Sequence, residues 1–138
     1  MPAKDIFHNA VKLGLEKEGW IITNYSLHLD FGEVEIYINL GAEKLITALS
    51  AGEKIAVEEK SFISNSPISE FHKALGQFIN YQTVLNQKEP ERELYLAVPK
   101  TTYEDFFKLK LIQLVIKNQQ IKLIIYHPEK DKIEQWIK

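Results

Sequence analysis

The sequence predicts one α/β domain over residues 1–138, a mixed β-sheet flanked by helices in the order α-β-β-β-α-β-α-β-β. Three patterns predict it. Val34, Ile36, Ile38 and Leu40 alternate with Glu33, Glu35, Tyr37 and Asn39, the period of two that marks a strand with one buried face. Leu94-Tyr95-Leu96-Ala97-Val98 is apolar throughout, as suits a strand covered on both faces beside a parallel neighbour. Apolar residues recur at helical spacing between Phe7 and Leu15 and again between Ile68 and Leu85, the stripes of helices lying on a sheet.

Taken in order, Asp5 is placed to cap a first helix that runs to about Glu18, with Gly19 as its C′ residue. Trp20 to Thr23 and Leu27 to Leu29 read as a strand or two, joined by a bulge or an irregular link at Asn24-Tyr25-Ser26. A turn at Asp30-Phe31-Gly32 leads into the alternating strand. Gly41 to Gly52 is rich in alanine, leucine and lysine without a β-branched run, which predicts a short helix or helical turn before a strand from Lys54 to Ser61. Ser66 as N-cap and Pro67 at the first helical position open a long helix. After the apolar strand, ended by Pro99, Thr101 or Thr102 is placed to cap another helix, with Glu104 or Asp105 as its capping-box partner, running to about Asn118. Ile121 to Tyr126 and Lys132 to Ile137 then pair as a hairpin.

Composition narrows the function. The hydrophobic share of 45% and charged share of 26% are those of an ordinary globular chain, and no segment approaches the roughly 20 apolar residues of a membrane span. Cysteine is absent and the first residues lack the apolar core of a secretory signal, so a cytoplasmic protein is expected. The net charge of −2 means that any nucleic-acid contact must come from a local basic surface. Arg92 is the only arginine, which leaves almost no bidentate reading of bases.

One charged pattern carries chemistry. In the strand at Lys54, Ala56, Glu58 and Lys60 share one face, and Ile55, Val57 and Glu59 the other. Side chains two apart on a strand stand roughly 6 to 7 Å from each other, so Glu58 and Lys60 reach one small site. A carboxylate there offers hard oxygen to Mg2+ or Mn2+, and the ammonium orients water and offsets charge on a phosphate. Taken alone, three-residue charged patterns are abundant, and a solvated ion pair on an edge strand is the commoner reading. Asn39 closes the polar face of the preceding strand, where a second metal ligand would be wanted; its alternative is a simple strand end before Gly41. Gln77 and Tyr81 stand four apart on the long helix, one face of it, able to bond phosphate or steady a carboxylate, or else to sit as a rim tyrosine with a satisfied amide.

The strings Asn39-Leu-Gly-Ala-Glu-Lys-Leu-Ile, Lys54-Ile-Ala-Val-Glu-Glu-Lys-Ser-Phe and Ala74-Leu-Gly-Gln-Phe with Tyr81 resemble the XisH family, as do Met1-Pro-Ala-Lys-Asp and Ile133-Glu-Gln-Trp-Ile at the ends. The likeness covers essentially the whole chain. It implies a fdxN element excision controlling factor, an accessory protein in programmed DNA excision and recombination, on a restriction-endonuclease-like, PD-(D/E)xK nuclease-like fold. It implies catalytic places for Glu58, Lys60, Gln77, Tyr81 and His8, and metal places for Glu58, Asn39 and Glu59, the last through its backbone carbonyl. The implied cofactor is Mg2+ or Mn2+, and the implied partners are an XisI-like companion protein, DNA and a site-specific recombinase. Two positions depart from the family pattern, which has aspartate where this chain has Asn39 and an aliphatic residue where it has Glu59. Glu43 is a candidate to replace the missing acid if a helical turn folds it over the sheet. The expected function is a regulatory controlling factor, with an active endonuclease as the alternative.

Overall fold

The computed structural model describes residues 3–44 and 52–138. Helix α1 (Ala3–Lys17) begins ahead of Asp5, so position 5 lies inside the first turn and not at the N-cap position expected for it. The other end is as predicted: Gly19 takes φ +94°, and the Trp20 N–H returns to the Leu15 carbonyl. The segment read as a strand or two resolves into two, β1 (Ile21–Asn24) and β2 (Leu27–Phe31), and they belong to different sheets.

Strand β3 (Val34–Ile38) folds back antiparallel on β2, and β4 (Leu40–Lys44) lies antiparallel between β1 and β5 (Glu53–Glu59). The alternating run expected to form one strand is thus broken at Asn39, where the chain leaves the hairpin and enters the main sheet. Gly41 to Lys44 is strand, correcting the helical turn expected there. Leu40 and Ala42 are fully buried opposite Val57 and Ile55, and that two-residue burial overrides the weak helical preference of alanine and lysine. Residues 45–51 of the expected turn lie outside the described residues.

Helix α2 (Pro67–Lys88) starts at Pro67 as predicted, although the Ser66 hydroxyl donates to Ser69 Oγ and accepts no bond from a helix N–H. Strand β6 (Arg92–Pro99) follows. The helix expected next is interrupted: a turn, α3 (Lys100–Thr102), runs into one π turn (Tyr103–Phe107), and α4 (Lys110–Asn118) comes after it. No capping box forms, because the helix begins at Lys100, and the Thr102 hydroxyl donates instead to the Ser61 carbonyl at 3.1 Å. The wide turn lets two consecutive rings, Phe106 and Phe107, meet Phe62 and Phe71. Strands β7 (Lys122–His127) and β8 (Lys132–Ile137) form the predicted hairpin.

The main sheet has six strands in the order β1-β4-β5-β6-β7-β8, with β5, β6 and β7 parallel and the remaining pairs antiparallel. One face, carrying Val57, Tyr95 and Tyr126, is covered by Ala10, Val11 and Leu15 of α1. The other, carrying Ala56, Leu96 and Ile125, is covered by Phe71, Phe78 and Leu85 of α2, by Ile112 of α4 and by Leu29, Ile36 and Ile38 of the β2–β3 hairpin. The prediction of a mixed sheet flanked by helices holds; one helix lies on the first face and two lie on the second.

Candidate functional site

Because β5 alternates, Glu58 follows Ala56 onto the α2 face, and Glu59 follows Val57 onto the α1 face. Lys60 lies one residue past the strand, yet its N–H still bonds to the Ala97 carbonyl at 3.0 Å, so the pleat continues through it. Lys60 Nζ stands 3.5 Å from Glu58 Oε2. The carboxylate is buried while the ammonium stem keeps 26% of its surface in solvent.

Asn39 is tied to the same two residues. Its backbone N–H donates to Glu58 Oε1 at 3.2 Å, and its side-chain Oδ1 accepts the Glu59 N–H at 2.7 Å. This side chain performs the pairing that a regular ladder would make with β5 at the point where the chain changes sheets. The position next to the carboxylate is therefore held by an amide whose oxygen is engaged.

From the facing helix, Tyr81 comes near enough to Glu58 to be affected by its charge. Burial first, and the Glu58 carboxylate second, push the Tyr81 hydroxyl above its ordinary range. Gln77 and Tyr81 line a cleft of about 360 Å³ between α2 and the β2–β3 hairpin, closed on the other side by Phe31, Val34 and Ile36. Gln77 Oε1 is buried and has no hydrogen-bond partner among the described residues. Glu58, Lys60, Asn39 and Tyr81 are thus brought together, with Gln77 one helical turn from Tyr81.

His8, Glu43 and the side chain of Glu59 lie elsewhere. His8 is on α1, the helix that covers the Glu59 face of the sheet and not the Glu58 face. The Glu59 carboxylate accepts a hydrogen bond from the Tyr126 hydroxyl at 3.2 Å, and burial followed by the Glu59 charge drives Tyr126 far above the usual tyrosine range. Glu43 pairs in register with Lys54, four positions along β5 from Glu58 or roughly 13 Å of strand. Its carboxylate stands 3.9 Å from Lys54 Nζ and 3.9 Å from Arg92 Nη2. It does not replace the missing acid, because the helical turn that was to fold it over is strand.

The structure also shows groupings the sequence did not suggest. His28 Nε2 lies 3.0 Å from Asp30 Oδ1 and 3.8 Å from Glu35 Oε1 on the outer face of the hairpin, with the imidazole stacked on Tyr37. The period-two placement of His28 and Asp30 was the available signal; the register pairing Asp30 with Glu35 was not. Phe62 follows the site in the left-handed region at φ +57°, held there by edge contact of its ring with Phe107 at 5.3 Å.

Chemically, the grouping holds a buried carboxylate against an ammonium beside a tyrosine hydroxyl. A divalent cation such as Mg2+ or Mn2+ wants several hard, preferably anionic oxygens. These residues supply one carboxylate, Glu58, whose oxygens face the Asn39 N–H and Lys60, and one amide oxygen already bonded to the Glu59 N–H. That donor set does not fit a tightly held ion.

A protein-family model described as XisH protein matches residues 1–134. Among solved structures, the chain is similar to an XisH family protein from Nostoc punctiforme PCC 73102, at 50% identity and a TM-score of 0.89 over 97% of this chain and 100% of that one. It is also similar to a fdxN element excision controlling factor protein from Anabaena variabilis, at 47% identity and a TM-score of 0.88 over 97% and 99% of the two chains. No protein of curated function matches.

Proposed function

The chain belongs to the XisH family, and on that premise we propose that it is a controlling factor for programmed excision of a DNA element, acting through a partner and not by cutting DNA itself. The excision role is supported by the printed name of the Anabaena variabilis relative, which aligns over nearly all of both chains. The single observation that carries the regulatory reading is Asn39. It lies beside Glu58, where the nuclease reading calls for a second negative charge, and its oxygen is spent on the Glu59 N–H. Without that charge, attraction for a divalent cation in a partly desolvated site falls steeply. The remaining Glu58–Lys60 pair keeps the geometry of a nuclease strand with its charges matched to each other. The natural partner in this reading is an XisI-type companion protein, the complex assisting a site-specific recombinase on DNA.

The rival reading, a Mg2+- or Mn2+-dependent endonuclease, is favoured by that same 3.5 Å pair and by Tyr81 beside it. Supercoiled-plasmid nicking separates the two. The expected result is no nicking above background with either ion. Nicking by the wild-type chain that disappears in both Glu58→Ala and Lys60→Ala overturns the regulatory reading.

A further inference from the structure

Helix α4 turns Ile112 and Ile116 into the core, and its remaining leucines point the other way. Leu109 at its N-cap, Leu111 and Leu114 keep 52%, 58% and 55% of their surface in solvent. Single exposed leucines are ordinary, but three within six residues on one short helix make a patch. By comparison, the longer α2 exposes two large apolar side chains, Ile68 and Ile79, eleven positions apart, among exposed polar residues such as His72, Lys73, Asn80, Thr83 and Asn86.

The charged side chains of α4 itself have one sign. Between Asp105 and Glu129 the sequence contains no acidic residue and carries Lys108, Lys110, Lys117 and Lys122, in a chain whose net charge is −2. Lys122 is paired with Glu93 at 3.1 Å, whereas Lys110 and Lys117 have no ion-pair partner among the described residues. On its Lys117 side the helix borders a groove of about 580 Å³ floored by Ile116, Ile121 and Ile137, with Lys138 on its rim.

We infer that the outer face of α4 is a protein-docking surface that takes an amphipathic segment bearing an apolar ridge flanked by carboxylates. The leucines bury against the ridge, and Lys110 and Lys117 meet the acids at the rim, the usual division between an interface centre and its edge. DNA would satisfy the lysines and leave the leucines in water. A bilayer surface would want a longer helix and more basic residues than α4 offers. This inference rests on the partner-dependent role proposed above and locates the contact.

The test is titration of the full-length protein with the XisI-type protein encoded by the same organism, by calorimetry at two salt concentrations. Wild type is expected to bind. Leu111→Glu/Leu114→Glu should weaken binding by about 30-fold or more, the scale of lost hot-spot contacts. Lys110→Glu/Lys117→Glu should weaken it by roughly tenfold and flatten its salt dependence. All four positions are exposed, so melting temperatures should stay at the wild-type value and exclude misfolding. Binding by wild type that both double variants retain within about twofold overturns the docking face and leaves the proposed role standing. No binding by wild type removes both. A wild-type self-association abolished by the leucine variant assigns the face to a second copy, and duplex DNA binding lost only in the lysine variant assigns it to DNA; either result overturns the inference.

Discussion

Replacing Asn39 by aspartate tests the reading of the site most directly, because it changes one charge and keeps the hydrogen bond. An aspartate oxygen can accept the Glu59 N–H as Asn39 Oδ1 does at 2.7 Å, and the backbone N–H still donates to Glu58 Oε1 at 3.2 Å. The new negative charge then stands beside a buried one. For two carboxylates on the order of 5 Å apart at an effective dielectric constant near 20, the repulsion is about 3 kcal/mol. Lys60, 3.5 Å from Glu58, offsets part of it, leaving a net loss of roughly 1 to 2 kcal/mol in metal-free buffer. For a chain of 138 residues, that lowers the melting temperature by about 3 to 7 °C. A divalent cation should reverse the sign. At a hundredfold excess over its dissociation constant, Mn2+ adds about 2.7 kcal/mol to the variant by mass action. The assay is thermal unfolding of both proteins in EDTA and in millimolar Mn2+. The expected pattern is a destabilised Asn39→Asp protein rescued by Mn2+, and a wild-type protein that the ion barely moves. If the variant melts like wild type in EDTA and Mn2+ shifts both equally or neither, Asn39 is not standing where a charge would complete a cation site.

Two other substitutions probe the polar groups on either side of the sheet. Tyr126→Phe removes the hydroxyl that donates to Glu59 and should cost about 1 to 3 kcal/mol in chemical denaturation at pH 7. In the same protein the alkaline limb should flatten: Tyr126 stays protonated in the fold while unfolded tyrosine ionises near pH 10, so wild-type stability is intact below that pH and declines above it. An unchanged alkaline slope in Tyr126→Phe would assign the decline to other groups. Gln77→Leu removes a buried oxygen that lacks a partner and is expected to raise stability by roughly 1 kcal/mol; a loss of that size in urea titration would mean that the amide is satisfied in solution.

Much of the fold was legible because its signals were local or periodic. Gly19 ended α1, Pro67 opened α2, and the unbroken apolar run at Leu94 marked a central parallel strand. What was misread depended on which sheet a residue joins. The alternation from Val34 to Leu40 is uniform in sequence, yet Ile36 and Ile38 pack with the hairpin under α2 while Leu40 packs under α1. Period-two alternation gives the face of a strand and not its sheet, so the break at Asn39 left no trace in the pattern. The helix expected at Gly41 failed for a related reason: alanine is favourable in a helix, but Ala42 is fully buried in the main sheet between β1 and β5. In the site, the pairing of Glu58 with Lys60 followed from parity alone. The partner of Glu59 did not, because Tyr126 is 67 residues away and two strands over.

The break at Asn39 bears on why the position holds a side chain of this shape. At a junction between two sheets the backbone cannot continue the ladder, and the Glu59 N–H, inside a buried strand, would lose its partner at a cost of about 1 to 3 kcal/mol. A short side chain ending in an oxygen one carbon beyond Cβ meets that need, and aspartate and asparagine meet it equally. The structural demand therefore fixes the size and the acceptor and leaves the charge free to vary. In a metal-dependent site the charge is the functional part of the residue; in a regulatory protein it is not, and beside a buried carboxylate it would be unfavourable. A chain can cross from one state to the other by exchanging Asp for Asn without disturbing the junction. On the regulatory reading proposed above, the fold and the Glu58–Lys60 geometry would persist without a metal-dependent step.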